Sequence, residues 1–142
     1  MKRQPKPLPA RVAEATAGYR RSSGAAVLAD PALHERGRGN LDARRIAARL
    51  GVSLKRLAPA LGYTPQGLVK NPTSVRLQPA LAEIAHVLGR LRALLDDDPS
   101  VAIWLRAPHP DLGGATPLSC VLAGNASTIV ALLHAAEAGQ TA

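Results

Sequence analysis

Apolar residues recur at steps of three and four positions along much of the chain after residue 40, which is the spacing of one face of an α-helix. The longest such run extends from Leu77 to Leu95 and predicts the longest helix. Because the same steps also form a short heptad, this apolar stripe is either an internal core face or a dimer seam, and the pattern does not decide between them. The stripe consists of Leu81, Ile84, Leu88, Leu91 and Leu95.

Shorter helices are delimited by capping signals, in which a small polar residue precedes the helix and glycine follows it. We predict helices over residues 41–50, 54–61, 65–70, 99–105, 117–123 and 126–138. Pro59 lies inside the second of these, where it removes a backbone hydrogen bond, so this helix should be short or kinked. The predicted N-caps after residue 50 are Ser53, Thr64, Asp98, Thr116 and Asn125.

The composition also favours helices over sheets. Hydrophobic residues make up 46% of the 142 residues, but aromatic residues make up only 2%. The bulk of a core must therefore come from aliphatic residues, of which Ala and Leu favour helices, whereas strands favour the scarce aromatic residues. We predict an all-α fold: a small helical bundle with an N-terminal helix-turn-helix-like region, a C-terminal three-helix region and a disordered N-terminal tail. The predicted segments are 1–40 (a basic, largely flexible tail), 41–76 and 77–142.

Positive charge is concentrated in one half of the chain. Residues 1–76 contain 15 Lys and Arg and four acidic residues, a net charge of +11. Residues 77–142 contain three Arg and six acidic residues, a net charge of −3. A polyanion such as DNA therefore suits the first half, whereas the second half has no charge that would attract nucleic acid.

The stretch from Leu54 to Lys70 has the layout of a helix-turn-helix, with its turn at Gly62 and Tyr63. A rival frame places the turn at Gly51 and Val52, but Pro59 would then lie inside the helix that enters the DNA groove. Gln can pair with adenine, and Lys and Arg can reach guanine or phosphates. The alternative is that these arginines form a solvated face and the helices are only a scaffold. The candidate DNA-binding residues are Arg44, Arg45, Lys55, Arg56, Thr64, Gln66 and Lys70.

The most distinctive stretch, AIWLRAPHPDLGGATPL, extends from Ala102 to Leu118. Its two interior prolines fix backbone angles, and its paired glycines adopt conformations that other residues avoid. This loop should therefore be rigid and present a defined surface.

Residues 78–139 resemble the C-terminal toxin-binding domain of Xre/MbcA/ParS antitoxins, and residues 41–76 are similar to the Xre-like helical region that precedes it. The resemblance is carried by the long helix, by Ile103, Trp104 and Leu105, by Pro108, by the stretch from Leu112 to Leu118, and by the final helix. Two features depart from the family: His109 and Pro110 stand where many members have a polar residue such as Asn, and the C-terminal tail is short.

The resemblance implies an antitoxin that sequesters a toxin with a RES domain, an enzyme that consumes or transfers ADP-ribose from NAD. It also implies that the C-terminus lies over the toxin's active site and that the chain forms a homodimer within a hetero-oligomeric complex, with operator DNA as a further partner. For Trp104 the alternative is a position in the core. The toxin-binding residues implied are Trp104, Leu105, Pro108, Leu112, Gly113, Gly114, Pro117, Gly139 and Gln140.

No residue pattern indicates an enzyme. The four histidines and Cys120 do not share metal-ligand spacing, so we expect no metal and no cofactor. Cys120 lies in an apolar helical stretch, which favours a buried, inert thiol. No apolar run is long enough for a membrane span or a signal peptide, so we expect a cytoplasmic protein with no membrane partner. The alternative function is a stand-alone helix-turn-helix transcriptional regulator.

Overall fold

The computed structural model describes residues 30–35 and 39–139. Most of the predicted disordered tail lies outside these residues. The described residues form seven α-helices and no β-strand, which confirms the all-α prediction; one isolated bridge pairs His34 with Leu41. None of these helices is long and apolar enough to cross a membrane. The helices are α1 (Ala43–Leu50), α2 (Leu54–Leu61), α3 (Pro65–Lys70), α4 (Gln78–Leu95), α5 (Asp98–Arg106), α6 (Pro117–Leu122) and α7 (Ala126–Glu137), with short 3-10 turns at Pro31–Leu33, Val75–Leu77 and Pro110–Leu112.

Side-chain caps set most of the helix boundaries. Ser53, Thr64 and Thr116 each accept the backbone N–H three residues ahead, as their positions predicted. Glycines in the left-handed region end α1 and α2, at Gly51 and Gly62. α2 keeps its eight residues despite Pro59, which lies two residues before the end of the helix. A proline there disturbs few of the helix's own hydrogen bonds.

Two predicted helix starts were wrong. α1 begins at Ala43 rather than at residue 41, because Leu41 pairs with His34 and the Asp42 carboxylate caps the helix by accepting the Arg44 N–H. The cap of α5 is Asp97 rather than Asp98: its carboxylate accepts the Ser100 N–H at 2.7 Å. Asp98 is already helical, which places the following proline within the first turn, where a missing N–H costs little.

The apolar stripe of α4 is an internal core face and not a dimer seam. Four of its five predicted members are buried, and Leu95 is half-buried. α4 contacts α1, α5 and α7, so three helices cover it. An ion pair between Arg90 and Glu137 further ties α4 to the last turn of α7.

The helices of the two predicted regions share one cluster of buried apolar side chains. α1 contacts α4, and α2 contacts α6. One side chain also bridges the regions through polar contacts: Arg106 donates from Nη2 to the carbonyl oxygens of Leu50, at 2.8 Å, and Gly51, at 3.3 Å. The end of α5 is therefore joined to the end of α1, 55 residues earlier in the chain.

Candidate partner-binding surfaces

The loop between α5 and α6 is held in one shape by hydrogen bonds around His109. The His109 N–H donates to the Ala115 carbonyl at 3.0 Å, and the His109 carbonyl accepts from the N–H groups of Leu112 and Gly114, at 3.0 and 3.1 Å. The imidazole Nδ1 accepts the Asp111 N–H at 3.1 Å. His109 therefore joins the two ends of the loop, through both its backbone and its imidazole.

The paired glycines complete the turn that returns the chain to α6. Gly113 and Gly114 have φ angles of 66° and 87°, in the left-handed region that side chains disfavour. The outward residues of the loop form a surface that we call the ledge. The ledge consists of Pro108, Pro110, Asp111, Gly113, Gly114 and Ala115, all of them exposed.

Apolar side chains support the ledge from below. Trp104 is half-buried, packs against the core and meets the His109 ring edge-on, with 5.9 Å between the ring centroids. Leu112, expected to be exposed, is half-buried against the same core. Leu105 and Pro117 are buried, so neither offers its side chain to a partner in this fold.

Of the residues implied for toxin contact, Pro108, Gly113 and Gly114 are the ones that the structure brings together on an open surface. Gly139 is also exposed, two residues after the end of α7. Gln140 lies outside the described residues. The remaining candidates support this surface from the core.

The candidate DNA-binding residues are all exposed, and they lie on α1, α2, α3 and the turn before α3. α2 and α3 are in contact and are joined by the turn at Gly62 and Tyr63, which is the predicted helix-turn-helix layout. Thr64 caps α3 through its hydroxyl, whereas Gln66 and Lys70 are exposed beside Val69, which is 59% exposed.

Two of the candidate arginines contact a buried carboxylate. Asp42 is only 2% exposed, and its carboxylate lies 3.4 Å from Arg44 and 3.7 Å from Arg45. The side chains of Arg44 and Arg45 are 62% and 41% exposed, so both guanidinium groups still face solvent. Exposed basic side chains are therefore present on each of α1, α2 and α3.

Two titratable groups among the described residues have pKa values shifted by their surroundings. Hydrogen bonds from the Ser100 side chain and backbone lower the pKa of the capping carboxyl of Asp97. Burial, and to a lesser degree the nearby Arg90 guanidinium, lower the pKa of His86 on α4. Residues 30–35 and 39–139 contain no group of three or more His, Cys, Asp or Glu that could hold a metal ion. Cys120, expected to be buried, is half-buried in α6.

The role of Arg106 had no signal in the sequence. Besides a bond to the Ala102 carbonyl on its own helix, Arg106 donates to backbone carbonyls 55 and 56 residues away, and no local pattern marks such a contact. The same contact favours glycine at position 51, because a Cβ there would lie 2.5 Å from the Arg106 Nη2.

Comparison with known proteins identifies one part of the chain. Residues 90–139 match the family described as antitoxin Xre/MbcA/ParS C-terminal toxin-binding domain. Neither the curated proteins nor the solved structures yield a match. The matched residues run from the last third of α4 to the end of α7 and include the whole ledge. At residues 90–139 the chain is thus similar to the C-terminal toxin-binding domain of Xre/MbcA/ParS antitoxins.

Proposed function

We propose that this chain is an antitoxin that binds and neutralises a cognate toxin through the ledge and the side chains beneath it. The observation that carries the proposal is the family match at residues 90–139, which includes a rigid, exposed loop between two capped helices. A loop that is already ordered loses little conformational entropy when a partner docks on it, so its contacts contribute more fully to affinity.

The toxin in this proposal has a RES domain and consumes NAD. Charge supports this choice, because residues 77–142 carry a net charge of −3 and a cleft that binds the phosphates of NAD is basic. The exposed Gly139 leads from α7 into the last three residues, which are the segment proposed to lie over the toxin's active site. The Arg90–Glu137 ion pair fixes the helix end from which this segment starts.

A substitution that places a charge on the ledge tests whether the toxin binds there. Pro108→Glu is expected to weaken binding to the purified product of the adjacent gene by at least about ten-fold, since an unpaired carboxylate would be buried at the interface. Isothermal titration calorimetry measures the affinity, and cellular NAD content during co-expression measures neutralisation.

The matched control is Pro79→Glu, at an exposed proline in the first turn of α4. A glutamate there is well tolerated, because it faces the positive end of the helix dipole. Equal affinities for wild type, Pro108→Glu and Pro79→Glu would remove the ledge from the interface. A neighbouring gene product that binds none of the three would contradict the antitoxin assignment itself.

We further propose that the basic surface on α1 to α3 binds operator DNA, and that the chain represses its own operon as a homodimer within the toxin complex. The support is the net charge of +11 in residues 1–76, together with the exposed Gln66 and Lys70 on α3. The rival function, a stand-alone transcriptional regulator, shares this surface and differs in having no toxin partner.

Salt dependence tests the DNA proposal. Binding of the full chain to its upstream DNA should weaken with salt, and Lys70→Ala should reduce the slope of log affinity against log salt by about 0.9, because the variant neutralises one phosphate fewer. Gln66→Ala should instead reduce the preference for the operator over unrelated DNA by about ten-fold. Glu83→Ala, on the exposed face of α4, is the control. Binding that is insensitive to salt would exclude this surface from DNA recognition.

A further inference from the structure

A second surface, next to the ledge, lies between α1 and α5. We call this surface the α1–α5 groove. Ala32, of the 3-10 turn at Pro31–Leu33, also lines it. Its apolar part includes Ala48 of α1 and Ala102 and Ile103 of α5. The side chain of Ile103 is 71% exposed, which is unusual for isoleucine and leaves an apolar side chain without cover beside the groove.

The groove crosses the boundary of the family match. α5 lies inside residues 90–139, whereas α1 ends 40 residues before the match begins. Arg106 holds the two walls together, because its guanidinium bonds the carbonyls at the end of α1. A partner that docks on α5 at Ile103 therefore meets α1 as part of the same rigid surface.

Positive charge borders the groove. Three arginines line it, Arg45, Arg49 and Arg106, against one acidic residue, Asp98. Arg45 and Arg49 are ion-paired, with Asp42 at 3.7 Å and Asp30 at 3.3 Å, and Asp98 is paired with Arg92 at 3.1 Å. Arg106 donates to carbonyl oxygens, which do not neutralise its charge, so the lining keeps a surplus of positive charge. An apolar floor with a surplus of arginine suits a segment that has both apolar and acidic side chains.

We propose that the α1–α5 groove docks an acidic amphipathic segment of the toxin, so that the toxin interface extends from the family domain onto α1. This inference rests on the proposed antitoxin function. Apolar side chains of the partner cover Ile103 and Ala48, and its carboxylates face the arginines of the rim. Ala107 belongs to the groove and is followed directly by Pro108, which makes the groove continuous with the ledge.

Other occupants fit the groove less well. Residues 1–29 contain six Lys and Arg and one acidic residue, so they would bring like charge to the arginine rim. A second copy of the chain carries a net charge of +8 and meets the same repulsion. DNA would be attracted by the arginines, but the Ala and Ile side chains between them offer a phosphate no hydrogen bond.

Two substitutions, one on each wall, test the proposal in the full chain. Ile103→Glu and Ala48→Glu each place a carboxylate among apolar contacts and reduce the positive charge that attracts the partner. Each is expected to weaken binding to the purified adjacent-gene product by about ten-fold or more, as truncation of a central interface residue does. Both positions are exposed, so the far-ultraviolet circular dichroism and melting temperature should match wild type.

Val69→Glu is the matched control, since it introduces the same charge at an exposed apolar residue of α3. Its affinity for the toxin should stay within about two-fold of the wild-type value, which is a change in binding free energy of no more than about 0.4 kcal/mol at 25 °C. Ala48→Glu is decisive: wild-type affinity for that variant would overturn the extension onto α1, while the ledge could still bind. If wild type does not bind the toxin at all, the proposed function fails together with this inference.

Two further outcomes would assign the groove to another occupant and overturn the proposal. One is a change in self-association, measured by analytical ultracentrifugation of the chain alone, in both groove variants but not in Val69→Glu. The other is a loss of affinity for upstream DNA in both groove variants with toxin affinity unchanged.

Discussion

Leu105→Ala is expected to lower the free energy of unfolding by about 3–5 kcal/mol, because truncating a fully buried leucine removes its transfer free energy and leaves a cavity. Leu105 has no exposed surface and lies on α5, which packs against both α4 and α6. Urea denaturation followed by circular dichroism measures the change. Since stabilities of whole domains are about 5–15 kcal/mol, this one substitution should remove a large share of the total.

Ile103→Ala is the control on the same helix. Ile103 is 71% exposed, and truncation of such a side chain should change stability by less than about 0.5 kcal/mol. Similar unfolding free energies for the two variants would contradict the position of Leu105 in the core. Any weaker toxin binding by Leu105→Ala should accompany partial unfolding, because the side chain does not reach the surface.

Gly51→Ala should lower the free energy of unfolding by about 1–3 kcal/mol. About 1 kcal/mol of this is the cost of a side chain in the left-handed region, where Gly51 has a φ of 76°. The rest follows from the 2.5 Å distance between the added Cβ and the Arg106 Nη2. The guanidinium is the end of a flexible, exposed side chain and can move aside, so the added cost is that of weakened hydrogen bonds to Leu50 and Gly51, about 1 kcal/mol in all.

Gly62→Ala separates these two contributions. Gly62 has a φ of 72° and ends α2 as Gly51 ends α1, but a Cβ there would meet nothing within 4 Å. Its cost should therefore be only about 1 kcal/mol. In an Arg106→Ala background, Gly51→Ala should cost no more than Gly62→Ala does, and a double-mutant cycle measures the difference. An unchanged cost in that background would show that Arg106 is not the cause.

Local signals in the sequence predicted the helices well. Caps such as Ser53 and Thr64 and terminators such as Gly51 act within one helical turn, so the chain around them is enough to place a boundary. The error at Asp98 has the same local origin: two neighbouring aspartates can both cap, and the choice of Asp97 depends on the geometry of the Ser100 N–H.

The candidate site was less predictable, because burial is a property of the whole fold. Trp104 and Leu105 are adjacent in a motif, but one is half-buried under the ledge and the other is fully enclosed. The apolar period of α4 likewise could not distinguish a core face from a dimer seam until α7 was placed against it. Arg106 and the α1–α5 groove depend on contacts between residues far apart in the chain, for which a single sequence has no pattern.

The bond from the Arg106 guanidinium to the end of α1 has a consequence for cooperativity. If either helix unfolded by itself, the C-terminus of α1 would lose the positive charge of Arg106, and α5 would lose the hydrogen bonds that hold it to α1. Together with the shared apolar cluster, this should link the helices α1 to α3 and residues 90–139 into one melting transition. A chain cut between α3 and α4 would therefore expose both halves of a single core to water.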